Sequence, residues 1–168
     1  MSFPEFCDKI ASHDLRRVAG HWNKVRGERA MPGWQDIRPS EIAPQLSMIW
    51  VFRYDPAADR FTGRLAGDQI EHFFGKSFRG TPMAELYPQE DYPRLFARSK
   101  RVLCEPALFH GAGMVLKHVY LHGHGERIIL PLAADGVHGD GLFGATVYRS
   151  QLGLPGEDDG ERESWYAL

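Results

Sequence analysis

The chain has 168 residues, of which 43% are hydrophobic and 25% charged, and its formal net charge is -2. One buried core fits this length, the balance excludes disordered and fibrous classes, and the weak acidic charge offers no field for a phosphate backbone, so nucleic acid is not an expected partner. The longest apolar run, around Met48 to Phe52, falls far below the ~20 residues of a bilayer span, and MSFPEFCDKI has acids where a secretory signal has basic and apolar regions; no membrane partner and a cytoplasmic location are expected.

Phe3, Phe6, Ile10, Val18, Trp22 and Val25 fall at helical spacing behind an S-x-x-E capping box at Ser2 and Glu5, which predicts one long amphipathic helix ending near Gly27. Residues 28–46 hold Pro32, Gly33, Pro39 and Pro44 and read as a linker with at most a short turn after Ser40. Ser47 to Tyr54 reads as a strand whose apolar run does not alternate, which implies cover on both faces. Asp55, Pro56 and Asp59 turn the chain into a second strand, Phe61 to Ala66, completing a hairpin.

Asp68 and Glu71 form a D-x-x-E box before a short helix through Ile70, Phe73 and Phe74 that Gly75 ends, and Thr81 with Pro82 opens another. A longer helix runs from about Gln89 to Cys104, with Pro93 in or near its first turn. Ala107 to Leu121, Glu126 to Leu132 and Leu142 to Arg149 read as three strands between Gly-rich turns, and Pro131 is expected at a strand end or bulge. From Gln151 onward the composition is polar and acidic and reads as a disordered tail, in which Trp165, Tyr166 and Leu168 are the side chains suited to docking on an apolar surface. The expected division is one domain over 1–150, with its helix at 1–27 and linker at 28–46, then an acidic tail at 151–168.

This order of elements predicts an α+β fold. In detail, W-N-K-V-R-G-E-R-A-M-P at Trp22 to Pro32, D-I-R-P at Asp36 to Pro39, F-T-G-R-L-A-G at Phe61 to Gly67, F-G-K-S-F-R-G at Phe74 to Gly80, I-I-L-P-L at Ile128 to Leu132 and F-G-A at Phe143 to Ala145 follow one another at fixed spacing. Together they make the stretch from His21 to Thr146 resemble a PAS-type family of small single-domain proteins common in alphaproteobacteria, formerly a domain of unknown function. The resemblance implies a five-stranded antiparallel sheet with a cluster of short helices on one face, behind an N-terminal amphipathic helix. It implies sensing or protein interaction only by analogy with other PAS modules. Asp68 stands where the family usually has Thr, which removes any role of that hydroxyl.

His110, His118, His122, His124 and His138 raise the question of a metal, but turn histidines without cysteine or carboxylate partners read as solvated, and no metal site is expected. Cys7 and Cys104 lie apart, without paired spacing, and read as plain thiols. The resemblance implies neither haem nor flavin: the long helix carries no histidine, and the reactive-cysteine motif of flavin-binding relatives is absent, so no cofactor is expected. Arg94, Arg98 and Arg101 form a basic stripe on the long helix, either a solvated face or a docking strip for an acidic partner. Gly111 to Gly113 read as a bulge rather than part of a dinucleotide fingerprint.

Three readings follow. The first is a sensory or regulatory module acting in trans, with a small, mainly apolar ligand between sheet and helices lined by Leu65, Ile70, Phe74, Phe96, Val102, Leu103, Phe109 and His110, or with a protein partner in a signalling pathway. The second is a ligand-free interaction scaffold. The third, an enzyme of the small cone-like lyase or isomerase kind, needs a polar cavity with a paired acid and base; no catalytic motif is present and no enzyme is expected. Phe3, Phe6, Ile10 and Trp22, more apolar surface than one sheet face covers, predict a homodimer through the N-terminal helix.

Overall fold

Ser2 and Glu5 start the first helix: the Glu5 carboxylate accepts the Ser2 backbone N–H at 2.5 Å. In the computed structural model, which describes residues 2–118, 121–149 and 160–168, helix α1 (Phe3–Lys9) nevertheless stops after two turns, and the chain re-enters as α2 (His13–Arg26). The single helix expected to Gly27 is broken because Ala11 and Ser12 donate their backbone N–H groups, at 2.7 Å each, to the Glu126 carboxylate rather than to a helical carbonyl. Ser12 then caps α2, its hydroxyl accepting the Leu15 N–H at 3.3 Å.

The expected linker carries more structure than its prolines suggest. Pro39–Met48 is a run of 3-10 helix kinked at Ile42, with Ile42, Gln45 and Met48 buried. Strands β1 (Ile49–Asp55) and β2 (Arg60–Ala66) make the hairpin. Three helices follow: α3 (Asp68–Phe74), α4 (Met83–Leu86) and α5 (Tyr92–Cys104). The residue capping α3 is Gly67 rather than Asp68, and Glu71 instead accepts from the Phe78 N–H at 3.1 Å and the Ser77 hydroxyl at 3.2 Å, tying down the following loop.

Strands β3 (Ala107–His118), β4 (Leu121–Leu132) and β5 (Gly141–Arg149) come next, and the expected tail supplies a further strand, β6 (Arg162–Ala167). Among the described residues the sheet is antiparallel with six strands, in the order β2-β1-β5-β4-β3-β6, one more than expected because β6 pairs with the free edge of β3. Pro131 lies within β4, opposite Leu142, and its carbonyl accepts the Trp22 indole N–H at 2.9 Å.

Both sheet faces are covered, as the unbroken apolar run in β1 requires. On one face α1, α2 and the 3-10 run bury Phe6, Leu15, Val18 and Trp22 against Ile49, Val51, Ile128, Leu130 and Phe143. On the other, α3, α4 and α5 bury Ile70, Met83, Val102 and Leu103 against Trp50, Phe52, Phe61, Phe109 and Ile129. Each such large side chain contributes about 1.5–3 kcal/mol when fully buried. Gly144 faces Trp50 across β1 and β5, where a Cβ would lie 2.2 Å from the indole ring; the vacancy lets the Trp50 N–H reach the Thr146 hydroxyl at 2.9 Å.

Candidate ligand site

Of the residues expected to line an apolar cavity, Ile70, Phe74, Phe96, Val102, Leu103 and Phe109 do share the layer between sheet and helices. They pack on one another and on Phe52, Phe61 and Phe78, with ring centroids 5.0 Å apart for Phe74–Phe78, 5.3 Å for Phe52–Phe78 and 5.6 Å for Phe61–Phe96. Leu65 does not belong there. It is 53% exposed and borders a shallow apolar cleft of about 120 Å³ with Trp34, Ile37 and Leu46. His110 is also outside the layer, because successive strand residues face opposite ways; its Nε2 meets Glu126 at 2.7 Å on the α1–α2 side.

The N-terminal residues read as a dimer surface are covered by the chain itself. Phe6, Ile10 and Trp22 are buried against their own sheet, and Phe3 is half-buried. The apolar side chains that motivate a homodimer are thus covered within the chain, Phe3 only in part.

The basic stripe on α5 is solvated in part, Arg94 and Arg101 being about half exposed, while an acidic segment of the same chain lies against it and buries Arg98. Alternation that starts at Glu161, just before β6, and continues along it turns Glu161, Glu163 and Trp165 toward α5, while Tyr166 turns the other way and meets Phe6 at 4.9 Å. Arg98 donates from Nη2 to Glu161 at 2.7 Å and also to Glu163, and Arg94 stands 3.8 and 3.6 Å from the same two carboxylates. Arg101 lies 4.1 Å from the centre of the Trp165 ring.

Arg127, from β4, completes the cluster. Its Nη2 donates to Glu161 at 2.6 Å and its Nε to the other carboxylate oxygen, the side-on fork that a guanidinium makes with a carboxylate. The side chains of Glu161, Arg98 and Arg127 are 1%, 2% and 7% exposed. Gly111 of β3 makes the approach feasible, since a Cβ there would lie 2.1 Å from the Glu161 carboxylate.

Burial pushes the Glu161 carboxyl upward, but Arg127 and Arg98 outweigh it and hold its pKa below the ordinary carboxyl value. Burial, with Arg127 alongside, lowers Arg98; Arg127 itself is raised, because Glu161 overcomes its desolvation. Nε and Nη1 of Arg98 are buried and find no acceptor among the described residues. Beside this cluster lies a cavity of about 240 Å³ whose wall includes Tyr87, Asp91, Arg94, Leu95, Arg127 and Glu161. It is polar and charged, in contrast to the aromatic layer next to it.

On the opposite face, Glu126 accepts from Ala11, Ser12 and His110, and these donors hold its pKa low against the upward pull of burial. That arrangement pins the α1–α2 break to the sheet. Among the described residues no group of three or more His, Cys, Asp or Glu is placed to hold a metal ion; the side chains of His118 and His122 lie outside them. None of the described helices is long and apolar enough to cross a membrane.

Sequence reasoning named Arg94, Arg98 and Arg101 but missed Arg127, Glu161, Glu163 and Tyr87. The signal for the two glutamates was present: E-R-E-S-W-Y alternates with period two, as a strand with one acidic and aromatic face does. No curated protein matches the chain. A family model described as a PAS domain matches residues 10–147, from the end of α1 through most of β5, and leaves β6 outside the match. The chain belongs to the PAS domain family.

Proposed function

We propose that the chain is a sensory and regulatory module that works in trans in the cytoplasm, binding a small polar molecule in the cavity between α5 and the sheet and passing its occupancy to a separate protein. One observation carries this reading: buried Arg127 lines an open cavity, and buried Arg98 pairs with the same Glu161 behind it, next to a layer otherwise filled with apolar side chains. Stability alone does not call for them. Replacing a buried ion cluster by packed apolar residues is often neutral or stabilising by about 1–4 kcal/mol. Charges kept at a cavity wall are suited to recognition, and family membership adds sensing or interaction by analogy. The expected apolar guest gives way to a polar one because the apolar side chains fill their own layer.

The reading is non-enzymatic. Glu161, fixed between two guanidiniums and held below the ordinary carboxyl pKa, is a poor base, and Tyr87 and Tyr148 are pushed up by burial and are poor acids. A second reading, an interaction module without a small ligand, draws on Leu46 and Leu65, 38% and 53% exposed at the apolar cleft.

Native mass spectrometry of the purified chain, followed by a thermal-shift screen of polar metabolites, separates the two. A ligand at a hundred times its dissociation constant stabilises by about 2.7 kcal/mol, or roughly 5–11 °C at this size. Leu95→Trp, which fills the cavity, should abolish the shift. No retained mass and no shift from any compound would replace the sensory reading with the interaction one.

A further inference from the structure

We propose that Arg98 and Arg127 form a binding site for a small dicarboxylate, and that Glu161 occupies this site as an internal stand-in, so that ligand entry and docking of β6 exclude each other. The proposal rests on the ligand-binding reading above and adds the class of ligand and the part of the fold that answers it.

The geometry around Glu161 is that of a carboxylate receptor. Arg127 grips both oxygens side-on, and Arg98 adds a third donor at 2.7 Å. Donors remain: Nε and Nη1 of Arg98 are buried without acceptors among the described residues. Charge is also unbalanced at depth, since two buried guanidiniums face one fully buried carboxylate, while Glu163 is 32% exposed. The niche at Gly111, where even a methyl group would collide with Glu161, is shaped for a carboxylate rather than for a side chain of β3.

The occupant is detachable. β6 is an edge strand paired on one side, with β3, and it lies outside the region matched to the family, so the other five strands remain hydrogen-bonded in order without it. The neighbouring cavity of about 240 Å³ equals the liquid volume of roughly eight waters. That accommodates a carbon chain of succinate or glutarate size. Arg94, 53% exposed at the rim, stands ready for a second carboxylate. Because Glu161 belongs to the same chain, a free carboxylate competes against an effective concentration of about millimolar or more, which sets the working range of the site.

The test titrates the full-length chain with succinate, with its neutral diamide and with inorganic phosphate, by calorimetry, and follows amide hydrogen exchange in β3 and β6. Wild type is expected to bind succinate in the millimolar range, with faster exchange over Arg162–Ala167. Glu161→Gln removes the competing charge and should bind succinate at least tenfold more tightly. Glu161→Ala, which empties the niche altogether, should shift affinity in the same direction and carries the decision if Glu161→Gln does not fold, whereas Gly111→Ala fills the niche and should abolish binding. Arg127→Lys keeps the charge but loses the fork and should weaken succinate at least tenfold; the diamide and phosphate should bind wild type at least tenfold more weakly than succinate does.

Equal succinate affinity in wild type and both tightening variants would overturn the proposal, as would binding that leaves β6 exchange unchanged, or phosphate binding as tightly as succinate. Succinate failing to bind any of the variants also overturns it. A neutral metabolite retained by wild type with β6 protected would overturn this assignment and leave the sensory reading standing. Succinate binding to Glu161→Gln, with no ligand found for wild type in the wider screen, would uphold the site and remove the sensory role.

Discussion

Glu126→Gln tests how far one buried carboxylate organises the N-terminal layer. The wild-type side chain accepts three hydrogen bonds of 2.7 Å, from the backbone of Ala11 and Ser12 and from His110 Nε2, at 5% exposure. Hydrogen bonds to a charged group contribute about 1.5–3 kcal/mol each. Glutamine keeps one acceptor oxygen, so at least one donor loses its partner, and the new amide group points N–H against N–H. The expected loss is about 3–5 kcal/mol, the range found when a buried charge pair is broken. At about 2–4 °C per kcal/mol for a chain of this size, the melting temperature should fall by roughly 6–20 °C. Urea unfolding followed by circular dichroism measures the first quantity, and scanning calorimetry the second. A double-mutant cycle with His110→Gln should return a coupling of about 1 kcal/mol or more. The sign with pH is fixed: the folded pKa of Glu126 lies below its ordinary 4.5, so its contribution is present above that value and disappears as pH falls through the lower, folded one. The gap between wild type and variant should therefore close in acid. A variant within 1 kcal/mol of wild type at pH 7, or a gap that does not narrow on acidification, would refute the reasoning.

His21 is held below its ordinary value of 6.5 by burial, although Glu41 pulls it upward, and its Nε2 accepts the Arg38 N–H at 3.1 Å; stability should fall as pH drops below 6.5 through the folded pKa, and His21→Gln should flatten that slope in chemical denaturation between pH 7 and 5. Gly144→Ala places a Cβ 2.2 Å from the Trp50 ring and should cost about 1–3 kcal/mol, with loss of the near-ultraviolet signal of a fixed indole. Phe6→Ala should cost about 3–5 kcal/mol by urea titration while leaving the mass by light scattering unchanged, since Phe6 is fully buried within its own chain.

Much of the fold is legible because its signals are local. The non-alternating run Met48 to Phe52 announced a strand covered on both sides, and Ile49 and Val51 do face one core while Trp50 and Phe52 face the other. The break between α1 and α2 is not legible, because the residue that captures Ala11 and Ser12 lies 115 and 114 positions away. In the C-terminal segment the docking of Trp165 and Tyr166 is legible, but the strand that docks them is not, for a different reason. The segment's composition averages to an acidic tail, and only the alternation of Glu161, Glu163 and Trp165 with Arg162, Ser164 and Tyr166 reveals a strand. The stripe of Arg94, Arg98 and Arg101 was half legible: helical spacing shows a basic face, but nothing local shows that the acidic strip it meets belongs to the same molecule.

The place of β6 after the other five strands in chain order also orders events during synthesis. Arg98 and Arg127 precede Glu161 by 63 and 34 residues, and the other five strands have all been translated before it. At roughly 5–20 residues per second, the first of the two arginines waits several seconds for its carboxylate. Until then both guanidiniums are without Glu161, and the sheet edge at β3 lacks β6. A ribosome-bound chain stopped before Gly160 should therefore expose an arginine pair and an open strand edge that the finished protein covers.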